Sequence, residues 1–138
     1  MKLSIPKWAK IFLIIALFAL SILGFMIKLP STFRHFDKEL HSIFYFFAAA
    51  FLNLLFINKK ISIHVLIFGV LYLFGVAIEY AQEYSNKLFH KKIHGRYDIE
   101  DVQSNLKGLA AFSIVWIIYV AFRLIYKEAT FKKAVDNG

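Results

Sequence analysis

Four apolar stretches occupy most of this 138-residue chain, and short polar connectors separate them. Two of them, Ile11 to Ile27 and Ile61 to Ile78, contain no charged residue at all. Runs of about 17–25 apolar residues have the length that an α-helix needs to cross a bilayer. The pattern therefore predicts an all-α fold. We expect one membrane domain, 1–138, that is a bundle of four transmembrane helices at about 8–27, 38–58, 61–86 and 99–126.

The composition supports a membrane protein. The chain is 59% hydrophobic with a mean hydropathy of +0.60, so too few polar side chains remain to cover a water-soluble surface. The net charge of +8 comes from Lys and Arg residues that border the apolar runs, as interfacial anchors do. No basic helix with interleaved aromatic residues is present, so we expect no nucleic-acid partner. The absence of cysteine excludes a thiol nucleophile and a thiolate metal site.

The two ends of the chain are predicted to lie on one side of the membrane. The basic start also resembles a signal peptide, but the apolar run is too long and lacks a small-x-small cleavage site, so we interpret it as an uncleaved helix. Basic residues divide nine to eight between the two sides, and Lys2, Lys7 and Lys10 have no acidic neighbour. This favours cytoplasmic termini. The polar tail from Lys127 is expected to fray.

Polar residues collect at one end of the predicted bundle. Spacings of three and four residues place side chains on one helix face. The second helix starts, the third ends and the fourth starts on the same side, so their polar faces should converge. Two glycines would allow the helices to approach closely there. The aligned residues are Asp37, His41 and Tyr45, then Gly75, Glu79 and Gln82, then Asp101, Asn105 and Gly108.

Ionisable residues close to lipid indicate a functional site when they face a cavity. The candidate catalytic residues are His41, as a general acid or base, and Glu79 with Asp101, which would share a proton or a divalent cation. No other metal site is predicted. The candidate binding residues are Asp37, Lys38, Tyr45, Gln82, Arg96, Asp98 and Asn105.

Simpler interpretations exist for most of these residues. Asp37 and Asp98 are good helix N-caps, with the second helix then starting at Lys38, and Asp101 has capping-box spacing from Asp98. Tyr45 fits an aromatic belt at the membrane surface, and the amides fit interhelical hydrogen bonds. His64, at the opposite end of the bundle, is interpreted as structural.

Three ordered motifs give the chain a family resemblance. Across residues 36–119, the sequence resembles the VanZ-like family of small bacterial multi-pass membrane proteins, named for an accessory protein that gives low-level teicoplanin resistance. The resemblance implies a membrane protein of poorly defined activity, and most members lie outside resistance clusters. Phe112 departs from the pattern, where a second glycine is expected. The motifs are Asp37-Lys38-x-x-His41-x-x-x-Tyr45, Glu79-x-x-Gln82 and Arg96-x-Asp98-x-x-Asp101-x-x-x-Asn105-x-x-Gly108.

Two classes of function follow from these patterns. In the first, the outer-leaflet end of the bundle binds or acts on an envelope lipid or lipid-linked cell-wall precursor, with Arg96 and nearby lysines holding phosphate. In the second, the polar groups form a non-catalytic network between helices, and any resistance comes from altered drug access. A transporter is less favoured because no polar stripe crosses the bundle, although a homo-oligomer stays open.

Overall fold

The computed structural model describes residues 5–27, 31–56, 60–90 and 97–137, and within them the chain is helical without a β-strand. A short 3₁₀ helix, Ser31–Phe36, leads directly into the second α-helix. The predicted all-α fold with four helices is confirmed. The four α-helices are α1 (Lys7–Met26), α2 (Asp37–Leu55), α3 (Ile61–Phe89) and α4 (Ile99–Asp136).

Ring and hydrogen-bond contacts give the bundle an up-down-up-down topology. Phe25, near the end of α1, packs on His41, near the start of α2, whereas Lys10 lies over Phe56 at the other end of the same pair. His64, near the start of α3, contacts Asn53, near the end of α2, and Ser113, four turns into α4. The ends of α1 and α3 therefore meet the starts of α2 and α4. We call this part of the bundle the polar end.

The outside of the bundle is apolar. Phe12, Leu73 and Phe122 are each 66–74% exposed, and each lies on a different helix. Soluble proteins rarely expose apolar surface on this scale. By length and composition, α1, α3 and α4 qualify as membrane spans. The fold is thus that of a helical membrane protein.

Among the helices that the structure describes, α2 does not meet the criteria of length, hydropathy and charge that the other three meet. Its first turn carries Asp37, Lys38 and Glu39, and its 19 residues span about 28 Å. That length is close to a hydrocarbon core of about 30 Å. Since α2 buries much of one face against α3 and α4, it presents less of its surface to lipid than α1 does.

Helix α4 is longer than predicted. It continues to Asp136, ten residues past the predicted end at Tyr126, so the expectation of a frayed tail is wrong. The tail is rich in Lys and Ala, which favour helix, and contains neither glycine nor proline before Gly138. The Thr130 hydroxyl also donates to the Tyr126 carbonyl. Helix α3 likewise runs three residues past its predicted end, to Phe89. The predicted turn at Asn58 and Lys59 lies outside the described residues.

The closest helix approach is between α2 and α4. A Cβ atom added at Gly108 would collide with the backbone carbonyl oxygen of Ser42. The Ser42 hydroxyl donates to the Ser104 carbonyl at 2.8 Å, one turn earlier on α4. Phe46 and Phe112 pack edge to face just beyond. The predicted close packing at Gly108 is therefore present, and Phe112 does not disturb it.

We expect Gly108→Ala to destabilise the protein by about 1–3 kcal/mol, because α2 and α4 must separate to admit the methyl group. Thermal unfolding in detergent, followed by circular dichroism, measures the change. Gly69→Ala is the matched control, since nothing lies within 4 Å of its Cβ position. That variant should be neutral or gain stability, because alanine is the better helix former by about 0.5–1 kcal/mol. Equal melting temperatures for the two variants would contradict the prediction.

Candidate functional site

His41 lies at the centre of the polar end and is 5% exposed. Its Nδ1 lies 2.8 Å from the Oδ1 of Asn105. An amide oxygen only accepts hydrogen bonds, so Nδ1 is the donor. The other ring nitrogen, Nε2, faces carboxylate oxygens of Asp37 at 3.8 Å and Asp101 at 4.0 Å. Both distances are too long for hydrogen bonds. The polar faces of α2 and α4 thus meet at one imidazole.

Glu79 links the end of α3 to the start of α4. Its side chain is fully buried, and its Oε2 accepts the backbone N–H of Asp98 at 3.1 Å. The second carboxylate oxygen, Oε1, is buried with no hydrogen-bond partner among the described residues. Such a group loses its hydration without compensation, which is costly unless something else completes it.

Asp98 caps α4 as predicted, whereas the capping box with Asp101 is wrong. The Asp98 side chain accepts the backbone N–H of Glu100 at 2.8 Å. In a capping box, the side chain of Asp101 would accept the N–H of Asp98. Glu79 takes that N–H instead. Asp101 is therefore available to face His41, and its Oδ1 is buried without a partner within the described part of the chain.

Asp37 does not cap α2, contrary to the sequence-based interpretation. Helix α2 begins at Asp37 itself, and Phe36 occupies the N-cap position without a side-chain hydrogen bond. The reason is that the preceding 3₁₀ helix enters α2 without the extended residue that a capping side chain needs. The half-buried carboxylate of Asp37 instead faces His41, one turn further along the helix.

Two of the predicted binding residues tie helices together at the edge of the site. Lys38 forms an ion pair with Glu100, which joins the starts of α2 and α4 at an exposed position. The Gln82 amide donates to the Phe25 carbonyl at 2.8 Å. That carbonyl belongs to the last turn of α1, where backbone acceptors lack partners within the helix. Arg96 lies outside the described residues.

Tyr45 and Asn105 are fully buried side chains on the inner side of the site, next to Gly75. Each is 1% exposed, so the aromatic-belt interpretation of Tyr45 is wrong. Gly75 on α3 makes room for both side chains, because a Cβ there would lie 2.6 Å from the Asn105 amide nitrogen and 2.9 Å from the Tyr45 hydroxyl. The predicted close approach of backbones is therefore not seen at Gly75, where the missing Cβ instead leaves space for two polar side chains.

His64 sits at the opposite end of the bundle, in different surroundings. Its Nδ1 lies 3.2 Å from the Oδ1 of Asn53, and its Nε2 lies 2.9 Å from the Ser113 hydroxyl. The ring also stacks on Trp116 with centroids 4.2 Å apart. Both nitrogens thus have neutral partners that belong to neighbouring helices, which agrees with the structural role predicted for His64.

The sequence-based interpretation missed the serines of the α2–α4 contact. Ser42 and Ser104 are sequence neighbours of His41 and Asn105, yet neither belongs to the polar faces that were identified. Ser104 also donates to the Glu100 carbonyl within α4. Small residues beside a glycine were the available signal, since they permit close helix packing in membranes.

No family model matches this chain, and no curated protein or solved structure does so either. The resemblance to VanZ-like proteins therefore stays a prediction from the motifs.

We expect Glu79→Gln to fold at least as stably as the natural chain, because glutamine keeps an acceptor for the Asp98 N–H and removes a buried charge. Glu79→Ala should cost about 1–3 kcal/mol, since it leaves that N–H unsatisfied. Thermal unfolding in detergent compares the variants. Glu128→Ala, at an exposed position late in α4, is the control and should be near neutral. Equal losses for Gln and Ala at position 79 would refute the acceptor role.

Proposed function

We propose that the polar end binds the headgroup of an envelope lipid or lipid-linked cell-wall precursor in the bacterial cytoplasmic membrane. The observation that carries this proposal is the pair of buried carboxylate oxygens, Glu79 Oε1 and Asp101 Oδ1, that lack partners among the described residues. Buried polar groups in membrane proteins are normally satisfied, and unsatisfied ionisable ones are typical of binding sites. A ligand with hydroxyl groups would complete both carboxylates.

The chemistry around the site suits a phosphorylated headgroup. The connector between α3 and α4 is strongly basic, and cations of this type bind phosphate through charge-assisted hydrogen bonds. The buried carboxylates would accept hydrogen bonds from headgroup hydroxyls. If a reaction follows binding, His41 is the candidate general acid or base, with Asp101 beside it and Glu79 as a further candidate from α3. The basic residues are Lys87, in the last turn of α3, and Lys91, Lys92 and Arg96, in the connector.

Native mass spectrometry of protein purified from its own membrane tests the binding proposal. The natural chain should retain a lipid. In Asp101→Ala the amount of retained lipid should fall at least about tenfold, as expected for losing a hydrogen bond to a charged group. His64→Asn is the matched control, because it alters a buried interhelical histidine at the other end of the bundle. It should lower stability and leave the lipid in place.

A structural network is the second candidate function. It is favoured by the hydrogen bonds that join α2 and α4, namely His41 with Asn105 and Ser42 with Ser104. Under this alternative, Asp101→Ala and His64→Asn both lower the melting temperature, and neither changes the lipids that copurify. Teicoplanin resistance stays a prediction from the VanZ-like resemblance. Under the binding proposal it would depend on His41, Glu79 and Asp101.

The proposed orientation places both termini in the cytoplasm and the polar end at the outer leaflet. The chain has no cysteine, so single cysteines can be labelled without background. We expect Lys87→Cys, at the exposed end of α3, to react with a membrane-impermeant maleimide added to intact cells. Glu128→Cys, late in α4, should react only after the cells are opened. The reverse pattern would invert the orientation and place the site in the inner leaflet.

A further inference from the structure

Asp37, His41 and Asp101 present three electron-pair donors to one point at the polar end. One carboxylate oxygen of each aspartate and the Nε2 of His41 all lie within 4.8 Å of one another. Two helices supply them: α2 contributes Asp37 and His41 with i,i+4 spacing, and α4 contributes Asp101. Residues four apart on a helix lie on the same face, so both α2 groups are directed towards α4.

Asn105 fixes which electron pair His41 presents. Because the Asn105 oxygen accepts from Nδ1, the neutral imidazole carries its hydrogen on Nδ1 and a lone pair on Nε2. That lone pair is directed at two carboxylates, an arrangement that is repulsive unless a positive charge lies between them. Histidines that bind metals commonly donate their second nitrogen to an oxygen acceptor in this way.

Asp101 supplies an independent indication of a missing ligand. The residue is 8% exposed, its Oδ2 faces His41, and its Oδ1 has no hydrogen-bond partner among the described residues. The two nitrogen-to-oxygen distances, 3.8 and 4.0 Å, are too long for direct hydrogen bonds. Ligands at about 2.1 Å from a tetrahedral metal lie about 3.4 Å apart, whereas the three donor atoms here lie within 4.8 Å of one another, so side-chain shifts of about 1 Å or less would close the site.

We propose that Asp37, His41 and Asp101 bind a divalent transition-metal cation of the Zn²⁺ or Mn²⁺ type, with Asn105 orienting the imidazole. An imidazole nitrogen is a poor ligand for Mg²⁺ and Ca²⁺, which prefer oxygen, whereas Zn²⁺ and Mn²⁺ accept a mixed set of nitrogen and carboxylate oxygen. Asp37 is half-buried and gives the cation a route from water.

This ligand set differs from the pair predicted from the sequence, which joined Asp101 to Glu79. Within the described residues, Glu79 is not a member of the group, and its Oε2 is already occupied by the Asp98 N–H. Three protein ligands leave a coordination position open to water or a phosphate oxygen. Binding of a lipid phosphate by the metal rests on the proposed function, whereas the cation site itself does not.

Metal titration of the full-length, tag-free protein tests the site. The protein is stripped with EDTA in detergent and titrated with ZnCl₂ or MnCl₂ alone, with no lipid added, and bound metal is counted by elemental mass spectrometry. We expect one equivalent per chain for the natural sequence. Asp101→Asn should weaken binding more than about 100-fold, and Asn105→Ala about 10–100-fold, the range for residues that orient a ligand. His64→Asn should bind like the natural chain.

Two results would overturn the cation site. One is the absence of saturable metal uptake by the natural chain; another is equal affinity for the natural chain, Asp101→Asn and Asn105→Ala. If Asp101→Asn fails to fold, two other measurements test the site. One is the metal affinity of Asn105→Ala, and the other is a rise in the Tm of the natural chain on adding metal, which EDTA should reverse. Because no lipid is present, failure of the metal titration leaves the lipid proposal standing. Conversely, saturable metal binding by a chain that copurifies with no lipid would refute the lipid proposal and leave the cation site standing.

Discussion

The contact between α2 and α4 at Gly108 sets the position of the polar residues that these two helices share. Only a residue without a side chain allows the Ser42 carbonyl to lie directly on α4. At that separation His41, the residue before Ser42 on α2, reaches Asn105 on α4, and Ser42 reaches Ser104. A wider crossing would leave these groups in a gap between helices, where lipid tails offer them no partners. The backbone approach thus determines the chemistry of the polar end.

The convergence of three polar faces was predictable because it depends on helical spacing and connectivity alone. His41, Glu79, Asp101 and Asn105 all lie where a 3.6-residue period and an antiparallel topology place them. The pairing of these groups was not predictable in the same way. Local rules assign the Asp98 N–H to Asp101, three residues on, but Glu79 from another helix competes successfully for it. A single sequence contains no information about which long-range acceptor displaces a local one.

The same limit explains the errors at the ends of the helices. Asp37 has the residue type of an N-cap, but the 3₁₀ helix before it supplies helical backbone where a cap requires an extended residue. The tail after Tyr126 is polar, which suggested fraying, although its Lys and Ala residues favour helix.

The two buried histidines, His41 and His64, also differ because of their surroundings. His64 has a neutral partner at each ring nitrogen, whereas one nitrogen of His41 faces only carboxylates.

The length of α4 has a mechanical meaning. Its 38 residues extend about 57 Å, almost twice the hydrocarbon thickness, and contain no glycine or proline after Gly108. Helices bend sharply where such residues interrupt them, so this one behaves as a stiff rod. Asp101 lies in the first turn of this helix, and the basic tail from Lys127 lies at its other end, away from the polar end of the bundle. A straight helix of this length would carry any tilt of its polar end into a displacement of the tail.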